Sequence, residues 1–161
     1  MVLSSSRLMS CSLRFTWVTI GIPGFLVAVN GILGWLGGTG DGLSDCPRSD
    51  CLLCTLLISP LLETLIFQLM VGELALKLFK GFVLRVGMPA LLFGILHYIR
   101  YPSLIAVISA TFAGAIFSCV YARRSLAGSE ALGVLEVYVA HACTNTLVWL
   151  SLPAECFYRP Y

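Results

Sequence analysis

Three ionisable side chains stand inside long apolar runs. Glu63 lies in Leu61-Leu62-Glu63-Thr64-Leu65-Ile66-Phe67-Gln68, His97 closes Phe93-Gly94-Ile95-Leu96-His97, and His141 opens His141-Ala142-Cys143-Thr144-Asn145. The two histidines are the only ones in the chain. An ionisable group in a lipid-embedded helix costs roughly 2.5–3.5 kcal/mol on insertion scales, so each needs a buried partner or a function. A carboxylate with two imidazoles suits activation of a water molecule. The same set, Glu63, His97 and His141, is also a familiar ligand set for catalytic zinc, although the compact His-Glu-x-x-His spacing is absent. His141 and Asn145 are four residues apart and share a helix face, as do Phe93 and His97. Three helices can therefore aim one carboxylate, two imidazoles and one amide at a common centre. The plainer reading makes each residue a hydrogen-bonding contact between helices. The concurrence of all of them favours a site.

The elements that must carry these residues follow from composition. Of 161 residues, 58% are hydrophobic and 11% charged, against about 25% charged in a soluble domain. A soluble core of this size cannot hide so much apolar side chain. A membrane-spanning helix needs about 20 apolar residues. Five stretches qualify, near residues 16–36, 52–72, 82–99, 103–121 and 131–152. Strand-like alternation is absent. The predicted fold is all-α, a polytopic transmembrane bundle of about five helices in a single membrane domain, 1–161. Arg7 and Arg14 precede the first stretch as they would in a signal peptide. Its length and the lack of an Ala-x-Ala site favour a retained helix. Pro23, Gly24, Asn30 and Gly34 are expected to kink it.

Charge gives the expected orientation. Arg7, Arg14, Lys77, Lys80, Arg85, Arg123 and Arg124 fall on one side, which is seven of the ten Lys and Arg; Arg48, Arg100 and Arg159 fall on the other. The positive-inside rule places the N-terminus in the cytoplasm and the acidic loop of Asp41, Asp45 and Asp50 outside. The net charge of +2 and the lack of a basic stripe exclude a nucleic-acid partner. Ala110, Gly114 and Ser118, at four-residue spacing, predict close helix approach. Glu73 and Lys77 are spaced as a surface pair, and Glu136 is expected to pair with Arg123 or Arg124. Of the seven cysteines, Cys119 and Cys143 read as packed side chains. Cys143 should face away from His141. Cys46, Cys51 and Cys54 cluster, but no second Cys-x-x-Cys pair follows to complete a metal site.

At these residues the chain resembles the CPBP family, also called ABI, of CAAX-prenyl-protease and bacteriocin-processing membrane proteins. The family pattern is Glu-Glu-x-x-x-Arg on one helix, Phe-x-x-x-His on the next, and His-x-x-x-Asn or Asp two helices later. Glu63 to Gln68, preceded by Pro60, is similar to the first motif; Phe93 to His97 and His141 to Asn145 are similar to the others. The resemblance spans about residues 55–150 and leaves out the first helix. Thr64 stands where the family has its second Glu, and Gln68 where it has Arg. A neutral hydrogen-bonded pair is expected to replace that ion pair without leaving a lone charge. In size the chain resembles the subset that cuts C-terminal sorting segments, the myxosortase-like proteases.

The resemblance implies a glutamic-type intramembrane endopeptidase with no metal cofactor. Glu63 is then the general base, His97 holds the water or shares its proton, and His141 and Asn145 stabilise the oxyanion; Thr64, Gln68 and Phe93 support them. The implied partners are the lipid bilayer and a membrane-anchored protein substrate. By helix rise, Glu63 lies about 16 Å from the outer end of its helix and His97 about 5 Å from its own. Such a site opens outward and suits a substrate cut near a C-terminal anchor. Two other classes fit the same residues: a non-catalytic scaffold or chaperone with a degenerate site, and a small proton-coupled transporter with a Glu–His relay. Five helices without an internal repeat is an odd architecture for the transporter.

Overall fold

The computed structural model of the protein describes residues 14, 16–36, 52–100 and 102–151. Arg7, Arg48, Arg159, Cys46, Cys51 and the acidic loop lie outside the described residues. Every described element is helical. Trp17–Gly21 and Ile22–Leu36 join as α1; α2 is Cys54–Leu78, α3 Phe82–Arg100, α4 Leu104–Leu126 and α5 Glu130–Leu150. The helices α2 to α5 are long and apolar enough to cross a membrane, whereas the apolar part of α1, Trp17–Leu33, is shorter. The predicted helix around 16–36 is thus present, with an apolar part shorter than the other four spans. Two spans run beyond their predicted ends, α2 to Leu78 and α4 to Leu126. The turns beyond the predicted ends carry Glu73 and Arg124, which are paired inside the bundle.

The outer surface is apolar. Leu53, Ile66, Met70, Val83, Ile99 and Leu104 are all exposed, as lipid-facing positions are. Two apolar clusters lie within. Val18, Ile22 and Leu26 of α1 pack with Phe117 and Tyr121 of α4 and Val137 and Ala140 of α5. Phe67 of α2, Phe93 of α3 and Ala110 of α4 form the second. The small-residue stripe acts as its spacing predicts, since Ala110, Gly114 and Ser118 are all buried. A Cβ added at Gly114 would stand 3.1 Å from Ala90 Cα and 3.2 Å from Phe93 Cβ. Gly94 is as close to Thr111. Without a hydrophobic drive between helices in lipid, such backbone approach is a main source of association.

The turn between α4 and α5 is set by Gly128, whose φ is 71°. Its N–H donates to Ser125 O at 2.9 Å, and the Ser129 N–H to Arg124 O at 2.9 Å. This double closure satisfies the last carbonyls of α4 and needs a residue tolerant of left-handed backbone. Below the turn, Arg124 donates from Nε to Glu136 Oε2 at 2.7 Å and from its second guanidinium nitrogen to Oε1. That fulfils one of the two pairings expected of Glu136. Glu73 has partners beyond the expected Lys77: its Oε1 accepts from Tyr121 Oη and from Ser125 Oγ, both at 2.7 Å. The carboxylate is turned inward to α4, because α4 continues past the predicted end and brings two hydroxyls opposite it. Cys54 is disulfide-bonded, and Cys119 and Cys143 are free thiols.

Gly114→Val should lower the thermal midpoint in detergent by the equivalent of about 1–3 kcal/mol, the usual cost of overpacking. Gly31→Ala, which meets nothing within 4 Å, should leave it unchanged. Equal midpoints for both variants would show that the α3–α4 approach is not tight.

Candidate active site

The local winding of α2 decides how its side chains are presented. Cys54–Ile58 is a π-helix, Ser59–Glu63 a single α-helical stretch, and Thr64–Gly72 a second π-helix. Such windings occur mostly as short insertions at functional sites. Pro60 explains the first change, because it has no N–H to give the ladder. The Ser59 N–H closes onto Cys54 O, five residues back. Glu63 ends the short α-helical stretch and faces the interior between α3 and α5.

Three of the four predicted catalytic residues converge. Glu63 Oε2 lies 3.5 Å from His141 Nε2 and 4.0 Å from His97 Nε2. Side-chain exposure falls from 30% at His97 and 25% at Glu63 to 7% at His141. His97 and Glu63 thus remain reachable while His141 forms the floor. Among protein groups, Glu63 Oε2 and His141 Nδ1 are buried without a hydrogen-bond partner. Glu63 Oε1 accepts from Ser59 Oγ at 2.9 Å.

The two imidazoles are held differently. His97 Nδ1 is 2.9 Å from Phe93 O. A carbonyl only accepts, so Nδ1 carries the proton, and in the neutral ring Nε2 presents a lone pair toward Glu63. The Phe93 ring lies against His97 at 4.4 Å between centroids and against His141 at 5.8 Å. Phe117 covers His141 at 5.0 Å. Phe93 therefore packs against both imidazoles of the candidate site. Cys143 faces away from His141, as the spacing predicts. It lines a groove of about 220 Å³ with Thr19, Ile20, Thr146 and Leu147.

Asn145 stands apart from the triangle. Its Nδ2 donates to Thr55 O at 3.1 Å, eight residues or about 12 Å of helix before Glu63. The π winding turns the Ser59 N–H to Cys54 O, and Pro60 has no N–H, so the Thr55 carbonyl is presented to α5. Thr64 and Gln68 correct a second expectation. Both are fully buried, yet Thr64 Oγ1 and Gln68 Nε2 have no hydrogen-bond partner in the protein. They are not a hydrogen-bonded pair. Ser59 was missed by sequence reasoning. The available signal was its four-residue spacing from Glu63, which places both on one face. Among the described residues, no group of three His, Cys, Asp or Glu side chains is arranged to hold a metal ion.

Comparison with known proteins adds one match. Residues 51–147 fit the family described as "Type II CAAX prenyl endopeptidase Rce1-like". This range contains all three motifs and stops short of α1. No curated protein matches the chain, and no solved structure matches it.

A buried hydroxyl with no partner is destabilising by about 1–3 kcal/mol. Thr64→Val should therefore raise the thermal midpoint in detergent. A lower midpoint would mean that a bound water satisfies Thr64 Oγ1.

Proposed function

Because the chain belongs to the Rce1-like family of type II CAAX prenyl endopeptidases, a family of multi-pass membrane proteases, we propose that it is a glutamic-type intramembrane endopeptidase acting near the C-terminal anchor of a membrane protein. One observation carries this reading: Nε2 atoms from two separate helices flank a single oxygen of Glu63, at 3.5 and 4.0 Å. Glu63 Oε2 and the Nε2 lone pair of His97 are both acceptors. At 4.0 Å they are too far apart for a direct hydrogen bond and suitably placed for a bridging water that donates to each. Held in this way, the water turns a lone pair outward to a peptide carbonyl.

Hydrolysis then proceeds in two proton transfers. The water oxygen bonds to the carbonyl carbon as one proton passes to Glu63 Oε2. The carbonyl electrons move to oxygen, where His141 donates from Nε2. Glu63 returns the proton to the leaving nitrogen as the C–N bond breaks. In this proposal Asn145 serves the oxyanion site indirectly, by tying α5 to α2 through Thr55 O so that His141 is held in place. Removing one oxyanion donor typically costs about 10²–10³ in rate. No metal enters these steps.

The substrate reading rests on orientation. The charge bias puts the Thr55 end of the bundle outside. The disulfide at Cys54 supports the same assignment, because disulfides persist on the oxidising side of a membrane. Glu63 and His97 then open outward, where an exported domain meets its anchor helix. The family match favours a second reading, a prenylated tail presented from the cytoplasm.

Reconstituted protein should cleave an exported domain that ends in an apolar helix and a basic cluster. It should spare a farnesylated Cys-aliphatic-aliphatic-X peptide; the reverse preference would establish the second reading. Glu63→Gln, His97→Ala and His141→Ala should each abolish cleavage, Asn145→Ala should leave a residue, and chelators should leave wild-type activity intact. Normal cleavage by Glu63→Gln ends the protease reading, and loss on chelation with recovery on zinc replaces the metal-free mechanism.

In an otherwise cysteine-free protein in intact cells, an impermeant maleimide should label Ser151→Cys and spare Lys80→Cys. The opposite pattern inverts the orientation.

A further inference from the structure

A carboxylate turns easily about its last torsion, which is broad and two-fold. A general base in this bundle needs one oxygen anchored so that the other stays on the water. Ser59 is placed to do this. Its Oγ donates to Glu63 Oε1 at 2.9 Å, one turn toward the Thr55 end. The opposite oxygen, Oε2, has no hydrogen-bond partner in the protein and is the one facing both imidazoles. The carboxylate is thus divided into a held oxygen and a working oxygen.

The direction of this bond is itself informative. A serine within a helix commonly donates back to the carbonyl four residues earlier. For Ser59 that carbonyl is Thr55 O, which accepts from Asn145 Nδ2 at 3.1 Å. A hydroxyl has a single proton, and Ser59 spends it forward on Glu63. Asn145 and Ser59 therefore act in series, one occupying the competing acceptor and the other aligning the base. The short α-helical stretch Ser59–Glu63 keeps the two residues on one face between the π segments.

We propose that Ser59 is a positioning residue for the Glu63 base, fixing Oε1 so that Oε2 faces His97 and His141. This rests on the endopeptidase reading above, in which Glu63 activates water. Ser59 is neither nucleophile nor oxyanion donor in this scheme.

The test combines a spectroscopic signature with kinetics on the purified full chain in detergent. Isotope-edited infrared difference spectra with ¹³C-labelled glutamate assign the Glu63 carboxylate band by its loss in Glu63→Gln. Ser59→Ala should move that band, and Ser59→Thr, which keeps the hydroxyl, should return it. On the anchored reporter, Ser59→Ala should lower kcat on the order of tenfold, the effect of one hydrogen bond to a charged group. KM should stay within about twofold, since substrate binding is uniform in both proteins. Ser59→Thr should recover most of kcat. An unmoved Glu63 band in Ser59→Ala overturns the proposal whatever the kinetics. Complete loss of kcat in both Ser59→Ala and Ser59→Thr also overturns it, because a positioning hydroxyl is replaceable and a nucleophile is not. If Glu63→Gln cleaves normally while the band moves with Ser59, the endopeptidase reading fails and the hold of Ser59 on Glu63 stands.

Discussion

A carboxylate in the middle of a lipid-embedded bundle sets the terms for the rest of this structure. Isolated in hydrocarbon, Glu63 would be strongly unfavourable. Here one oxygen receives the Ser59 hydroxyl and the other is met by imidazoles from α3 and α5. No single helix can supply these partners. The bundle must bring three helices within a few ångströms of one atom, and the close backbone approach at Gly94 and Gly114 serves that end. Phe93 packs against both imidazoles. The site remains polar and partly open without exposing its floor, His141, to solvent or lipid.

The irregular winding of α2 belongs to the same design. Pro60 removes a donor one turn before Glu63, and the ladder responds with a π segment on its N-terminal side. A regular helix would keep the Thr55 carbonyl in its own ladder. The altered winding instead presents that carbonyl to Asn145. The link ties α5 to α2 above the site, while the Glu63–His141 contact ties them at it. Polar groups freed by a helix irregularity are thereby satisfied by a neighbouring helix, as a membrane interior requires.

The opposite end of the bundle does a different task. Glu73, Tyr121 and Ser125 form one knot between α2 and α4, and Arg124 with Glu136 forms another between α4 and α5. Glu73 stands ten residues after Glu63, and Glu136 five residues before His141. Glu136 is met by Arg124 at both carboxylate oxygens, and Glu73 takes two hydroxyl donors on Oε1. These two acids tie helices together, whereas Glu63 meets two imidazoles at an oxygen that has no hydrogen-bond donor in the protein.

Much of this was legible in the chain before folding was considered. Apolar run length determined that the protein is a helical membrane bundle, since the hydrocarbon thickness sets the count of residues needed. The placement of Glu63, His97 and His141 in three such runs determined the candidate site, because lone ionisable groups are not tolerated there without partners. Helical spacing correctly turned Cys143 away from His141 and set Ala110, Gly114 and Ser118 on a buried stripe. Periodicity, however, reports which residues share a face and says nothing of what stands opposite. The partners of Glu73 are 48 and 52 residues away, and Asn145 meets a carbonyl 90 residues away. Thr64 and Gln68 share a face and are both buried, yet do not bond to each other. Those outcomes were decided by tertiary structure, which alone determines where the donors of one helix meet the acceptors of another.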